Sequence, residues 1–171
     1  AFPEKVRSLS LVESIGFVTD EPKNSAEVLR KGMLSRLKSR SKKKSLHPTL
    51  KSAIQARMNV SDLSREQAKL IVQRGIDFDG ENYVWRSDLR LRLTSPYRIS
   101  NAQANAIMLN ISCPVKLLYG KNGFDMVKQS LKYYAGKVPK LTVAEIEGGH
   151  HPHMESPEKT MKLIANFIQL V

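Results

Sequence analysis

The stretch that most constrains this chain runs from Leu141 to Glu158. Leu141-Thr142-Val143-Ala144-Glu145-Ile146 is an apolar run of strand length, Gly148-Gly149 follows, and His150, His151 and His153 then fall within four positions. Ser156-Pro157-Glu158 reads as a helix start, with Ser at the N-cap and Pro in the first turn. The histidines therefore occupy a loop between the carboxyl end of a strand and a helix. Open α/β sheets collect ligands and chemistry at that edge, and paired glycines let the backbone turn sharply there. Three of the chain's four histidines lie in this one loop.

The remaining pattern alternates strand and helix. Val6 to Val12 reads as a short buried strand ending at Glu13, and Ser14 to Asn24 as a loop. Three helical stretches follow. The first runs from an N-cap at Asn24 or Ser25 to about Ser41 with Leu29, Met33 and Leu37 on one inward face. The second, after His47-Pro48, has Leu46, Leu50, Ile54 and Met58 at steps of four. The third runs from Ser61 or Ser64 to Arg74 with Leu63, Leu70 and Ile71 inward, and Gly75 closes it. Tyr83 to Leu91 is extended, Ser100 to Asn110 helical, and Pro114 to Tyr119 a strand that breaks at Gly120-Lys121-Asn122-Gly123. A helix over Asp125 to Ala135 precedes the Leu141 strand, and the last helix buries Met161, Ile164, Phe167, Ile168 and Val171. Such alternation implies an α/β fold with parallel pairing and right-handed crossovers.

Charge separates the function classes. The 171 residues can form a domain with a real core, and their net charge of +12 invites a nucleic-acid or anionic-membrane reading. The surplus is local, because Arg30 to Arg57 holds ten basic residues and no acidic one. Leu29, Met33, Leu37, Leu46, Leu50 and Ile54 give that segment an inward face, and no aromatic lies between Phe17 and Phe78 to stack on bases. A solvated basic surface is the better reading, peripheral membrane contact a weaker one, and nucleic-acid binding weaker still. The single cysteine, Cys113, excludes an internal disulfide and fits a reducing, cytoplasmic compartment. No apolar run has membrane-spanning length, and the first residues show no charged-then-apolar leader.

The segment Gly149-His150-His151-Pro152-His153-Met154-Glu155-Ser156-Pro157 between strand and final helix resembles the G-H-x-x-H-x-E-x-P segment that carries the catalytic histidine of α/β-hydrolases. Cys113-Pro114-Val115-Lys116-Leu117-Leu118-Tyr119-Gly120 is similar to that family's seventh strand, and Phe2-Pro3-Glu4-Lys5-Val6 to the approach to its sixth. The resemblance covers only the second half of the family's fold, in the serine hydrolase-like branch. No G-x-S-x-G or G-x-[CD]-x-G occurs in these residues, so the turn that presents the nucleophile is missing. It implies residues 1–20 as sixth strand and exit loop, 21–99 as a mainly helical cap, and 100–171 as core with the catalytic loop.

The resemblance makes His150 the general base, held in one tautomer by a carboxylate. The common family position for that carboxylate is here Gly123, which cannot serve. Glu13 ends the sixth strand, about 4.8 Å from its neighbour, and some members, haloalkane dehalogenases among them, place the acid there with glycine at the other position. Glu13 therefore ranks above Asp125, which lies two residues beyond Gly123, and both remain open. His151 and His153 read as loop-bracing residues, and Phe17, Trp85 and His151 are candidates for contact with substrate. Zinc on the histidine cluster is a weaker alternative, so no metal and no cofactor is expected. The implied activity is hydrolysis of a small ester or related acyl compound, with this stretch inactive by itself. A bare Val6 to Val12 edge would expose unpaired backbone, so pairing with the other half of the protein or with a second copy is expected.

Overall fold

The computed structural model describes residues 2–171. In chain order the regular elements are β1 (Leu9–Val12), α1 (Ser25–Ser39), β2 (Leu46–His47), α2 (Leu50–Met58), α3 (Arg65–Gly75), β3 (Ile76–Phe78), β4 (Tyr83–Trp85), α4 (Asn101–Leu109), β5 (Val115–Gly120), α5 (Asp125–Tyr134), β6 (Leu141–Ile146), α6 (Pro152–Glu155) and α7 (Pro157–Gln169). The residues before Glu21 and those from Ile99 onward form one compact unit, and Glu21–Arg98 forms a second.

The first unit is built on a parallel sheet in the order β1-β5-β6. Leu9 pairs with Val115 and Val12 with Leu118, while Val115 pairs with Leu141 and Gly120 with Ile146. The α/β architecture read from the sequence is the one observed. β5 is the central strand, and Val115, Leu117 and Leu118 are fully buried, as a strand covered on both faces requires. Ile15, Met108, Tyr134 and Val138 close over Val115 and Leu117, with Leu9, Leu11, Ile111, Leu131 and Leu141 packed against the cluster. Gly16 has φ +84 and lies against the Tyr134 ring, where a Cβ would stand 2.9 Å from Cδ2.

In α7 the inward positions are Thr160 and Phe167, with Ile164 partly covered, whereas Met161 and Ile168 face solvent. Phe167, and in part Ile164 and Val171, are covered as expected, while Thr160 and Leu163 turn inward in place of Met161 and Ile168. Ser156 does not cap α7 with its side chain. Its hydroxyl donates instead to Glu147 O at 3.3 Å.

The second unit holds α1 to α3 around a small antiparallel sheet in the order β2-β4-β3. The three helices and the extended stretch at Tyr83 stand as read, and the sequence reading lacks the pairing of that stretch with Leu46–His47 and Ile76–Phe78. Leu46 and His47 belong to the sheet, so Leu46 does not continue the inward row of α2 and is exposed. α2 and α3 begin with reciprocal capping boxes, Thr49 with Ser52 and Ser64 with Gln67. Ala53, Ile54, Leu63, Ala68 and Val72 form their buried seam, while Leu70 faces solvent. In α1 the packed face is Val28, Gly32, Ser35 and Ser39, not the leucine row. Gly32 sits directly on Pro96, where a Cβ would lie 2.6 Å from the Pro96 nitrogen, and Thr94 N–H donates to Ser35 Oγ at 3.4 Å. The close approach at Gly32 decides which face turns in, and it rotates Leu29, Met33 and Leu37 outward.

Candidate active site

The carboxyl ends of β1, β5 and β6 are tied together by backbone groups before any side chain is placed. Glu13 N–H donates to Leu118 O at 2.8 Å, Lys121 N–H to Ile146 O at 2.8 Å, and Asn122 N–H to Gly148 O at 2.9 Å. An ion pair, Lys121 Nζ to Glu147 Oε1 at 3.1 Å, adds a side-chain link between the same two loops, and that hydrogen bond raises the lysine above its usual range. Three successive strand ends thus form one shelf.

Glu13 sits on this shelf in an unusual backbone conformation, φ +51, which few non-glycine residues adopt. The turn directs its side chain toward the ends of β5 and α5, where it is buried. Gly120 N–H donates to Glu13 Oε2 at 2.6 Å and Phe124 N–H to Oε1 at 3.0 Å. A buried carboxylate needs such partners, and two donors from different positions of one loop fix its orientation. Space for it exists only because residue 123 is glycine, since a Cβ there would collide with the carboxylate.

His150 lies on the far side of Oε1. Its Nδ1 is 3.9 Å from Glu13 Oε1, beyond direct hydrogen-bond length but within ion-pair distance, and its side chain is 31% exposed against 3% for Glu13. The imidazole stacks on the Phe124 ring at 3.9 Å between centroids and an interplanar angle of 22°. One face of the imidazole therefore lies on an aromatic ring, and its Nδ1 edge faces the carboxylate. The loop that carries it is fixed as well. Gly149 N–H donates to Glu155 Oε2 at 2.8 Å, and Gly148, at φ +127, leaves no room for a Cβ beside the same carboxylate. The short helix α6, which the sequence pattern does not reveal, closes on His151 O through Met154 and Glu155 N–H.

Of the residues singled out from sequence, the structure brings Glu13, His150 and His151 together, the two imidazoles being 4.9 Å apart. His153 lies 5.9 Å from His151, edge to face. Among the described residues no group of three histidine, cysteine, aspartate or glutamate side chains is placed to hold a metal ion. Asp125 opens α5 and is exposed, and Phe17 is exposed in the loop after β1. Trp85 belongs to the second unit, where its ring packs on Gly75. Sequence reasoning missed Phe124 and Glu155. The Glu155 position was visible as the acidic member of the histidine segment, but the Phe124 stack depends on how the Gly120 to Gly123 turn closes.

An imidazole whose Nδ1 faces a buried carboxylate and whose side chain is partly open to solvent has the arrangement that proton transfer to and from a nucleophile requires.

No family model matches the chain. It is 25% identical to a serine hydrolase-like protein of Danio rerio, over 98% of this chain and 55% of that protein. It superposes on the crystal structure of a hypothetical protein of Pseudomonas aeruginosa PAO1 with a TM-score of 0.89 and 30% identity, covering 98% of this chain and 61% of that one. A thioesterase domain from the curacin biosynthetic pathway matches with a TM-score of 0.72 and 19% identity, over 96% and 59% of the two chains. The chain thus spans somewhat over half the length of the proteins it matches.

Proposed function

The chain carries the carboxyl-terminal part of an α/β-hydrolase fold, and on that premise we propose that it supplies the base and the orienting acid of a Ser-His-acid hydrolase acting on a small ester or related acyl compound. His150 is the general base and then the acid, and Glu13 holds it in register. The observation that carries this reading is the Glu13 carboxylate, buried, pinned by two backbone N–H donors and directed at His150 Nδ1. Asp125 is exposed in the first turn of α5, which favours Glu13 over it.

In this reading the nucleophile and the oxyanion donors come from residues outside Ala1 to Val171. The outer edge of β1, whose only strand partner among the described residues is β5, pairs with that segment. A second copy of the chain is the alternative partner for the same edge. His151, beside the base, and Phe17 are the substrate-contact candidates within the first unit.

The test has two arms. The isolated 171-residue chain neither turns over a short-chain nitrophenyl ester nor reacts with a fluorophosphonate probe. The coding sequence preceding Ala1 contains a G-x-S-x-G about twenty to thirty residues upstream, and the extended protein is labelled on that serine. In it, His150→Ala lowers kcat by roughly 10⁴-fold or more and Glu13→Gln by a smaller but still large factor, while Asp125→Asn changes little. Turnover by the isolated chain, or an extended protein indifferent to His150, overturns the proposal.

A further inference from the structure

Helix α1 presents its apolar residues to the wrong side for a helix of a water-soluble surface. Its packed face is Val28, Gly32, Ser35 and Ser39. At 100° per residue, Leu29, Met33 and Leu37 lie on the opposite side, one turn apart in a single row, with Leu34 beside them. Their exposures are 50%, 55%, 56% and 44%. Ordinary surface helices carry charge on the outward face and keep such a row for the core.

The cations are arranged around that row. Arg36 flanks one side and Lys38 the other, Arg30 and Arg40 stand among the apolar positions, and Lys42 and Lys43 follow the helix end, all exposed. Long basic side chains beside an apolar ridge can lay their stems along it and hold their charges at its rim. Glu27, the acidic residue of the helix, is paired with Lys31 at 2.6 Å, and from Arg30 to Arg57 there is no other to oppose them. An outward apolar row bordered by cations is the pattern of a helix that lies in a membrane interface, its row in the acyl boundary and its charges among phosphates. Among the described residues no helix is long and apolar enough to cross a membrane, so the contact is peripheral.

We propose that α1 and the Lys42-Lys43 segment form a docking surface for an anionic lipid bilayer. The partner is identified by two features together. A nucleic acid would meet the cations but leave the leucine row wet, and no aromatic side chain lies in the segment to stack on bases. A second copy of this chain would cover the row but bring ten more cations against these ten. A bilayer carrying anionic headgroups satisfies both.

Vesicle co-sedimentation of the 171-residue chain tests this. With vesicles in which about a third of the lipid is phosphatidylserine, binding is at least tenfold tighter than with phosphatidylcholine alone, because each cation that reaches the surface contributes about fivefold. Raising salt to roughly 0.5 M removes most of that preference. The variant Lys42→Gln/Lys43→Gln binds about 25-fold more weakly. The variant Leu29→Ser/Met33→Ser/Leu37→Ser keeps every cation and still loses roughly tenfold or more, with helical circular dichroism reporting its fold. Leu37→Trp supplies an independent readout, a blue-shifted tryptophan emission on anionic vesicles beyond that of the parent protein. The proposal fails if binding is indifferent to phosphatidylserine, or if the triple-serine variant binds as well as its parent, which is the behaviour of a general polyanion site such as one for RNA. It also fails if the row instead mediates a dimer that the serine variant dissolves while vesicles are ignored, or if the protein extended through the coding sequence before Ala1 ignores vesicles that the 171-residue chain binds, the row then being covered by the rest of the protein.

Discussion

The two three-stranded sheets of this chain are held by different means. In the parallel sheet, β5 is buried along its length and the strand ends are joined to one another by backbone hydrogen bonds, so that side chains placed there inherit fixed positions. In the antiparallel sheet the strands are two or three residues long, and Leu46 and Phe78 point into solvent. Its neighbouring helices α2 and α3 share a small buried seam of their own, and α1 is seated by the contact of Gly32 with Pro96. A catalytic constellation needs the first kind of support. A surface that meets something large and deformable does well with the second.

Substitutions can break or sharpen that contrast. The largest effect belongs to the parallel sheet: Leu117→Ala, at a fully buried centre, is expected to cost about 2–5 kcal/mol in urea unfolding followed by circular dichroism. Its counterpart, Leu46→Ala in the antiparallel sheet, is expected within about 0.5 kcal/mol of the parent, and equal losses at the two sites would erase the distinction. Next is Glu13→Gln. The amide keeps one acceptor where two backbone donors converge, and the expected loss is about 1–3 kcal/mol, against almost none for Asp125→Asn. Thr49→Ala removes the α2 cap and is expected to cost about 1 kcal/mol, read from the same unfolding curves.

The smallest effect is a pH dependence in the second unit. Hydrogen bonds from Arg90 lower the Asp88 carboxyl from 3.8 to about 2. A lowered folded-state value contributes stability above the unfolded value, and that contribution disappears as pH falls from near 3.8 through about 2. Arg90→Gln should flatten the acid limb of the stability curve slightly, by removing at neutral pH a contribution that is already absent near pH 2, and the effect is small because the pair is exposed.

The same contrast explains what was legible in the sequence. Pro114 to Gly120 shows as an apolar run because Val115, Leu117 and Leu118 are buried, and Leu141 to Ile146 because Leu141, Ala144 and Ile146 are wholly or partly covered while Thr142, Val143 and Glu145 face solvent, and such runs are visible without a structure. The loop histidines were legible through Gly148-Gly149 and the helix start that follows. The antiparallel sheet was not, since strands such as Leu46–His47 are too short to show a period. The inward assignment of Leu29, Met33 and Leu37 failed for a different reason. Periodicity shows that a helix has an apolar row, but the contact of Gly32 with Pro96 determines where that row points, and this contact joins residues 64 positions apart. Phe124 was missed because its ring reaches His150 only after the Gly120 to Gly123 turn has closed around Glu13.

Gly123 has a consequence for how such a chain can change over time. The volume a side chain would occupy at 123 is the volume the Glu13 carboxylate fills. The two positions from which a carboxylate can face His150 are therefore rival tenants of one space. On the function proposed above, an acid installed at 123 would force two negative groups into one volume, and loss of Glu13 would leave His150 with no orienting carboxylate. Neither position can then take over from the other by one substitution without a defective form between them.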